Sequence, residues 1–175
     1  MMSGVKAVVV GDTGVGKTAL CVRLEDASDT ATEQVGFPSG HRPTVSASVA
    51  SIRRGDRKIN LWDTAGQEKY SSLVPLYVRG AGLAVVVGDE RHSKEYYEQW
   101  ERKIRDTNEK CRILRVKNKR DLNEEEIEGA VLVSALSGVG VTNLVERMLS
   151  SCEDEPQVPD AIQRGEHGDE KDACC

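Results

Sequence analysis

The run Val5-Lys6-Ala7-Val8-Val9-Val10 passes directly into Gly11-Asp12-Thr13-Gly14-Val15-Gly16-Lys17-Thr18, and this junction decides the fold. A compact β-branched run reads as a buried strand, and Lys17 onward (KTALCVRLEDA) reads as a helix. Between them lies the pattern G-x-x-x-x-G-K-[ST]. Its glycines let the backbone curl so that the N–H groups of Asp12 to Lys17 point inward as an anion nest. The helix adds its positive N-terminal end. Lys17 would reach the β- and γ-phosphates of a nucleotide, and the Thr18 hydroxyl would ligate Mg²⁺. The phosphate-binding set is therefore Asp12, Thr13, Gly14, Val15, Gly16, Lys17 and Thr18.

Outward from this junction, short apolar runs alternate with longer amphipathic ones. Val45–Ile52 alternates as a half-buried strand, and Arg54-Gly55-Asp56 turns it into a second strand over Lys58–Trp62. Leu83–Val87, Arg112–Val116 and Ala130–Val133 read as further short strands; Ser93–Thr107 and Val141–Ser150 read as helices. This order predicts an α/β domain with a mostly parallel sheet. From Ser28 to Pro43 the chain is small and polar, a long loop of the kind that carries function.

The chain has 175 residues, enough for one domain. Aromatics make up 4%, so the core must be built from Val, Leu, Ile and Ala. No stretch approaches 18 apolar residues, which excludes a transmembrane helix, and MMSGVKAVVVGDTG lacks a signal-peptide pattern. The net charge is −5, which gives no support for nucleic-acid binding. Its distribution is uneven: residues 153–175 hold 8 acidic and 2 basic side chains, leaving residues 1–152 with 22 basic and 21 acidic. The sequence thus predicts a near-neutral domain over 1–152 and an acidic flexible tail over 153–175. Five cysteines, an odd number, argue against a disulfide framework. Cys21, Cys111 and Cys152 read as ordinary thiols, and His41, His92 and His167 read as solvated side chains.

The strand ending at Trp62 leads into Asp63-Thr64-Ala65-Gly66-Gln67-Glu68. A carboxylate at a strand end is where a phosphate-loop protein holds its direct or outer Mg²⁺ ligand, and Asp63 fits that role. Gly66 could bring a backbone N–H to the γ-phosphate, and Gln67 could orient an attacking water. Taken alone the string is an ordinary turn; after the phosphate loop it is not. WDTAGQE (Trp62–Glu68) together with GDTGVGKT (Gly11–Thr18) resembles the Ras superfamily of small GTPases, most like its Rab branch. The resemblance covers about Val5 to Leu149, with the terminal Cys pair added. It implies a three-layer G domain with a six-stranded, mostly parallel sheet flanked by helices. It implies GTP or GDP bound with Mg²⁺, and two switch segments that change shape with the nucleotide.

Three further sets of residues follow from that resemblance. Asn118-Lys119-Arg120-Asp121 matches N-K-x-D. There Asp121 accepts two hydrogen bonds from guanine, a donor pair adenine lacks; Asn118 steadies the loop and the Lys119 stem lies along the base. Ser134-Ala135-Leu136 stands at the S-A-K element, with Leu136 in place of Lys. In switch I, Thr44 follows Phe37 by seven residues with Pro43 before it. Thr44 would ligate Mg²⁺ and sense the γ-phosphate, and Phe37 would pack against the base. The predicted catalytic residues are thus Gln67, Lys17 and Thr44, and the metal ligands Thr18, Thr44 and Asp63.

This sequence also departs from the family. Thr18 to Phe37 is about eight residues longer than in similar proteins, with the extra segment within Ala27–Gly36, where it would tune nucleotide exchange. VSASVAS follows Thr44 in place of a Gly-Val-Asp-Phe-like string, and Lys117 stands where a Gly usually precedes N-K-x-D. Ser134 follows Asp121 by only thirteen positions, so the helix expected after N-K-x-D is shortened or missing. The sheet flank beside Ala130–Val133 should be thinly covered.

The terminal Cys174-Cys175 resembles the doubly geranylgeranylated end of Rab proteins. Two lipid chains meet the requirement for stable anchoring, and an acidic tail adds no attraction to anionic lipid. The resemblance implies a monomeric, cytoplasmic switch for vesicle trafficking that cycles onto the cytosolic face of membranes. Its partners would be an exchange factor, a GTPase-activating protein and effectors at the switch regions. No cis Arg is identifiable, so turnover without a partner should be roughly 10⁻⁴–10⁻³ s⁻¹. A second reading is a guanine-nucleotide-binding scaffold that does not cycle; an ATP-using kinase is disfavoured by Asn118–Asp121.

Overall fold

In the computed structural model, the structure describes residues 4–28, 48–64 and 73–152. Six strands form one sheet: β1 (Val5–Val10), β2 (Ser48–Arg54), β3 (Arg57–Asp63), β4 (Leu83–Gly88), β5 (Arg112–Lys117) and β6 (Ala130–Leu132). Their order across the sheet is β2-β3-β1-β4-β5-β6. Only the β2–β3 pair is antiparallel, closed by the Gly55-Asp56 turn with Arg54 opposite Arg57. Every other pairing is parallel.

Parallel strands need both faces covered, and the side chains divide accordingly. Ala7, Val9, Leu83, Val85 and Val87 meet α1 (Lys17–Asp26) and α4 (Val141–Ser150) through Leu20, Leu24, Leu144 and Met148. Val8, Val10, Ala84 and Val86 face the other way, onto α2 (Val74–Val78) and α3 (Lys94–Thr107) through Val78, Tyr97 and Ile104. The continuous apolar runs in the sequence are therefore alternating contributions to two cores. Within the three layers, each buried Leu or Val contributes about 1.5–3 kcal/mol.

Most elements fall within one or two residues of expectation. Strand β2 runs on to Arg54, and the expected residues 45–47 lie outside the described set. Helix α2, with Pro75 in its first turn, was not expected; five residues are too few to show a helical period. Among the described residues Cys21 and Cys111 are buried and not in disulfides, and no helix is long and apolar enough to cross a membrane.

Between β5 and β6 there is no helix at all. The segment is held instead by side chains. Lys117, 2% exposed, donates from Nζ to the Glu125 carbonyl at 2.6 Å. Ile127 packs onto the α3-side core, and Lys94 of α3 pairs with Glu128 at 2.8 Å. The lysine that replaces the usual glycine thus straps the loop that replaces the helix.

Lys117→Ala should release that strap. Loss of a charge-assisted bond to a backbone carbonyl corresponds to about 1.5–3 kcal/mol locally, while removing a buried ammonium recovers its desolvation cost. Amide exchange over 124–129 is therefore expected to rise about tenfold or more. The urea unfolding free energy should move by only about 1 kcal/mol. Unchanged exchange in that segment would contradict the assignment.

Candidate functional site

Among the described residues, all but one of the buried polar side chains gather at one edge of the sheet, Ser28 just past the end of α1 being the exception. Lys17, Asp63, Thr64, Asp89, Lys117, Asn118 and Ser134 are buried there. Each lies at or just beyond the carboxyl end of a strand, or on the first turn of the helix that follows. In an open parallel sheet that edge is where ligands bind.

Residues 11–16 form a loop between β1 and α1. Gly11 (φ 142°) lies so close to β4 that a Cβ there would be 2.2 Å from the Val87 carbonyl oxygen. At Gly16 (φ 90°) a Cβ would be 2.5 Å from Asn118 Nδ2. These two glycines are required by close approach as well as by backbone conformation. Val15 is fully buried, which anchors the loop in the core while Thr13 and Gly14 stay exposed. Lys17 crosses the loop, donating from Nζ to the carbonyls of Gly11 at 2.9 Å and Asp12 at 2.8 Å.

Thr18 and Asp63 meet across the loop mouth. The Thr18 hydroxyl donates to Asp63 Oδ2 at 2.7 Å. Asp63 Oδ1 is buried and has no hydrogen-bond partner among the described residues. Burial raises the Asp63 carboxyl above its ordinary range, against the opposing pull of the Thr18 bond and the Lys17 charge. A buried carboxylate oxygen without a donor, beside a hydroxyl, fits a hard divalent cation such as Mg²⁺. Thr64 closes the strand end by donating to the Val9 carbonyl at 2.7 Å.

The predicted base-reading residues converge around Asn118. Its Nδ2 donates to the Val15 carbonyl at 2.9 Å, and its Oδ1 accepts from the Ala135 N–H at 3.0 Å. Lys119, in the left-handed region (φ 62°), pairs with Asp89 at 2.7 Å. Ser134 donates its hydroxyl to Asp121 Oδ1 and accepts from the Ser137 N–H at 3.1 Å. Leu136 is exposed. The Ala135 and Leu136 carbonyls are gripped by Arg23 of α1, Nε at 2.8 Å and Nη2 at 2.9 Å.

Sequence reasoning missed Arg23, for which no local signal exists, and Asp89, for which one did. Asp89 follows the apolar run of β4 as Asp63 follows that of β3. Its side chain is fully buried and bound by Arg91 at 2.8 Å and Lys119 at 2.7 Å. Burial alone would raise this carboxyl; the Arg91 and Lys119 bonds outweigh it and hold the group well below the usual carboxylate range. One expectation is corrected: His92 is not solvated. Its side chain is 11% exposed and lies between Asp89 at 2.8 Å and Asp12 at 3.6 Å, because the loop after β4 folds back onto the phosphate loop.

Phe37, Thr44, Gly66 and Gln67 lie outside the described residues, as do His41, His167, Cys174, Cys175 and most of the Ala27–Gly36 insertion. The described site is therefore the phosphate loop, one carboxylate with a threonine, and the base-side loops.

Comparison with known proteins matches residues 6–121 to the family described as "Ras of Complex, Roc, domain of DAPkinase". The chain is 31% identical over 166 residues to the Ras-related protein Rab-5B of Plasmodium falciparum, covering 83% of this chain and 76% of that protein. It is 34% identical over 166 residues to the Ras-related protein RABA1h of Arabidopsis thaliana, covering 83% and 72%. It is 33% identical over 155 residues to the GTP-binding protein YPT53 of Saccharomyces cerevisiae, covering 82% and 64%.

Asn118→Ala removes the donor to Val15 and the acceptor for Ala135 together. Buried partners left unpaired cost about 1–3 kcal/mol, so release of bound fluorescent GDP should accelerate about tenfold or more. Release at the wild-type rate would count against Asn118 as the link between the two loops.

Proposed function

We propose a residue-level mechanism from one premise: the chain belongs to the Ras superfamily of small GTPases, in its Rab branch. It is a GTP hydrolase of the membrane-trafficking class, and it binds GTP and GDP. The observation that carries the mechanism is the Thr18–Asp63 contact at 2.7 Å beside an unpartnered carboxylate oxygen.

In this reading the N–H groups of residues 12–17 and the Lys17 ammonium hold the β- and γ-phosphates. Thr18 and Thr44 ligate Mg²⁺, with Asp63 behind them holding the Thr18 hydroxyl in place. Mg²⁺ held there would supply positive charge to offset the negative charge developing on the phosphoryl oxygens. Asp121, oriented by the Ser134 hydroxyl, accepts the two guanine donors, and the Ala135 N–H holds the Asn118 amide in place. The Lys119 stem and Phe37 cover the base. Gly66 donates its N–H to the γ-phosphate, and Gln67 orients the water that attacks it in line, with GDP leaving as its β-phosphate oxygen takes the charge. None of these steps needs a covalent enzyme intermediate. Positioning and electrostatics are sufficient.

The family implies exchange factors, activating proteins and effectors in general. The finer reading is that they act at switch I around Thr44 and switch II around Gln67. It adds that Cys174 and Cys175 carry prenyl groups, with attachment to cytosolic membrane faces resting on lipids rather than on tail charge. The loop that replaces the helix after Asp121 leaves all described base-side contacts in place, which supports guanine-nucleotide binding.

Gln67→Leu tests the mechanism. Single-turnover hydrolysis should fall at least about tenfold, since water positioning is lost, and GTP affinity should stay within about twofold because no described phosphate contact changes. Turnover equal to wild type, with and without a GTPase-activating extract, would remove Gln67 from its role.

A further inference from the structure

The loop after β6 closes on itself through its backbone and one serine. The Gly138 N–H donates to the Ser134 carbonyl at 2.8 Å, the Ser134 N–H to the Val139 carbonyl at 2.9 Å and the Ser137 N–H to Ser134 Oγ at 3.1 Å. None of these bonds uses the carbonyl of Ala135 or of Leu136. Both carbonyls take their donor from Arg23 of α1, from Nε at 2.8 Å and from Nη2 at 2.9 Å. Two adjacent donors in one rigid guanidinium plane draw successive carbonyls toward one point, which fixes the peptide between them. Residues 134–140 (SALSGVG) carry no charged side chain, so the charge that binds this loop comes from another element.

That element is the helix of the phosphate loop. Helix α1 starts at Lys17 and Thr18, and Leu20 and Leu24 on either side of Arg23 are fully buried in the core. Arg23 Nη1 also lies 3.9 Å from Asp26 on the same helix. At the other end, Ala135 is gripped twice: its N–H donates to Asn118 Oδ1 at 3.0 Å, and its carbonyl accepts from Arg23. Ser134, one residue earlier, donates its hydroxyl to Asp121 Oδ1. A shift of the 134–136 backbone therefore moves the hydroxyl that orients Asp121 and the N–H that holds Asn118. Arg23 opposes that shift from a helix anchored in the core.

We infer that Arg23 is a positioning residue for base specificity: its guanidinium clamps the Ala135 and Leu136 carbonyls to α1, so that Ser134 keeps the Asp121 carboxylate aimed at both guanine donors. The clamp rests on the guanine-site reading given above and acts through Ser134 and Ala135. Its signature is base preference. Inosine diphosphate (IDP) keeps the N1–H of guanine and lacks the exocyclic amine, so it offers Asp121 one hydrogen bond where GDP offers two. A carboxylate held in place discriminates between them, because with IDP it is left short of a donor. A carboxylate whose support has loosened turns toward whichever donor remains, and the difference shrinks.

The test is fluorescent GDP release from the full chain, with competition by unlabelled GDP and IDP, for wild type, Arg23→Ala and Arg23→Lys. Wild type should prefer GDP to IDP by about tenfold or more, the worth of one hydrogen bond to a charged group. Arg23→Ala should release GDP about tenfold faster, and its preference for GDP should fall about threefold. Arg23→Lys has a single ammonium in place of the fork and can serve one carbonyl well, so it should fall between the two in both readouts. The Arg23 side chain is 30% exposed, so its truncation opens no core cavity; should Arg23→Ala not fold, Arg23→Lys carries both readouts. Either variant matching wild type in release and preference overturns the clamp. Faster release with the GDP preference unchanged also overturns it, since Arg23 would then support the fold without aiming Asp121. A wild-type protein that fails to prefer GDP to IDP overturns the guanine-site reading, and the clamp with it.

Discussion

The side chain of Asn118 is the constraint on which the rest of the site depends. One amide spends its donor on the carbonyl of Val15 and its acceptor on the N–H of Ala135, while being 2% exposed. Three segments, 103 and 17 residues apart in sequence, are fixed against one another by two hydrogen bonds in a dry environment, where each is worth more than at the surface. The rigidity has consequences on both sides. Gly16 has no room for a Cβ because Asn118 Nδ2 would lie 2.5 Å from it. Lys119, next in the chain, adopts a left-handed backbone that costs on the order of 1 kcal/mol for a non-glycine residue, and it is held there by Asp89. The phosphate nest and the base pocket are one mechanical unit.

That unit sits where the parallel sheet leaves its charges. The carboxyl ends of β3, β4 and β5 deliver Asp63, Asp89 and Asn118 at one edge of the sheet, each buried. Burying a carboxylate is costly unless it is paired, and the two aspartates meet that cost differently. Asp89 is over-supplied with cations and is structural. Asp63 has one hydroxyl and one orphan oxygen, so its burial raises its pKa and leaves coordination capacity unused. The contrast separates a carboxylate that holds protein together from one suited to hold a metal.

Most of the architecture was legible in the sequence because the core is built from β-branched runs whose length and flanking glycines leave little ambiguity. The phosphate loop and Asn118–Asp121 were legible because their roles lie in backbone geometry and in side chains adjacent in sequence. What escaped notice depends on tertiary contact. Arg23 lies on an ordinary amphipathic helix, and only the fold brings it to the Ala135 and Leu136 carbonyls. His92 reads as polar among polar neighbours, since nothing local says that its loop folds back onto Asp12. Helix α2 is too short to display a period.

The missing helix is the instructive departure. A helix covers a sheet flank by satisfying its own backbone and presenting an apolar face; a loop of twelve residues can do neither by itself. Here the two tasks are divided. Ile127 supplies apolar cover on the α3-side core, and Lys117 supplies a hydrogen-bond donor from inside the sheet to the Glu125 carbonyl. Its four-carbon stem is buried along the way, as amphipathic side chains allow. The flanking Lys94–Glu128 pair is exposed and contributes little. A loop secured at so few points belongs to the low-stability end of the structure, and it begins at Asn118, which joins the phosphate loop to the Ala135 backbone. The same lysine that makes the short connection possible immediately precedes Asn118. Stability at the sheet flank and order at the guanine site are therefore set by one residue and its neighbour, and cannot be varied independently.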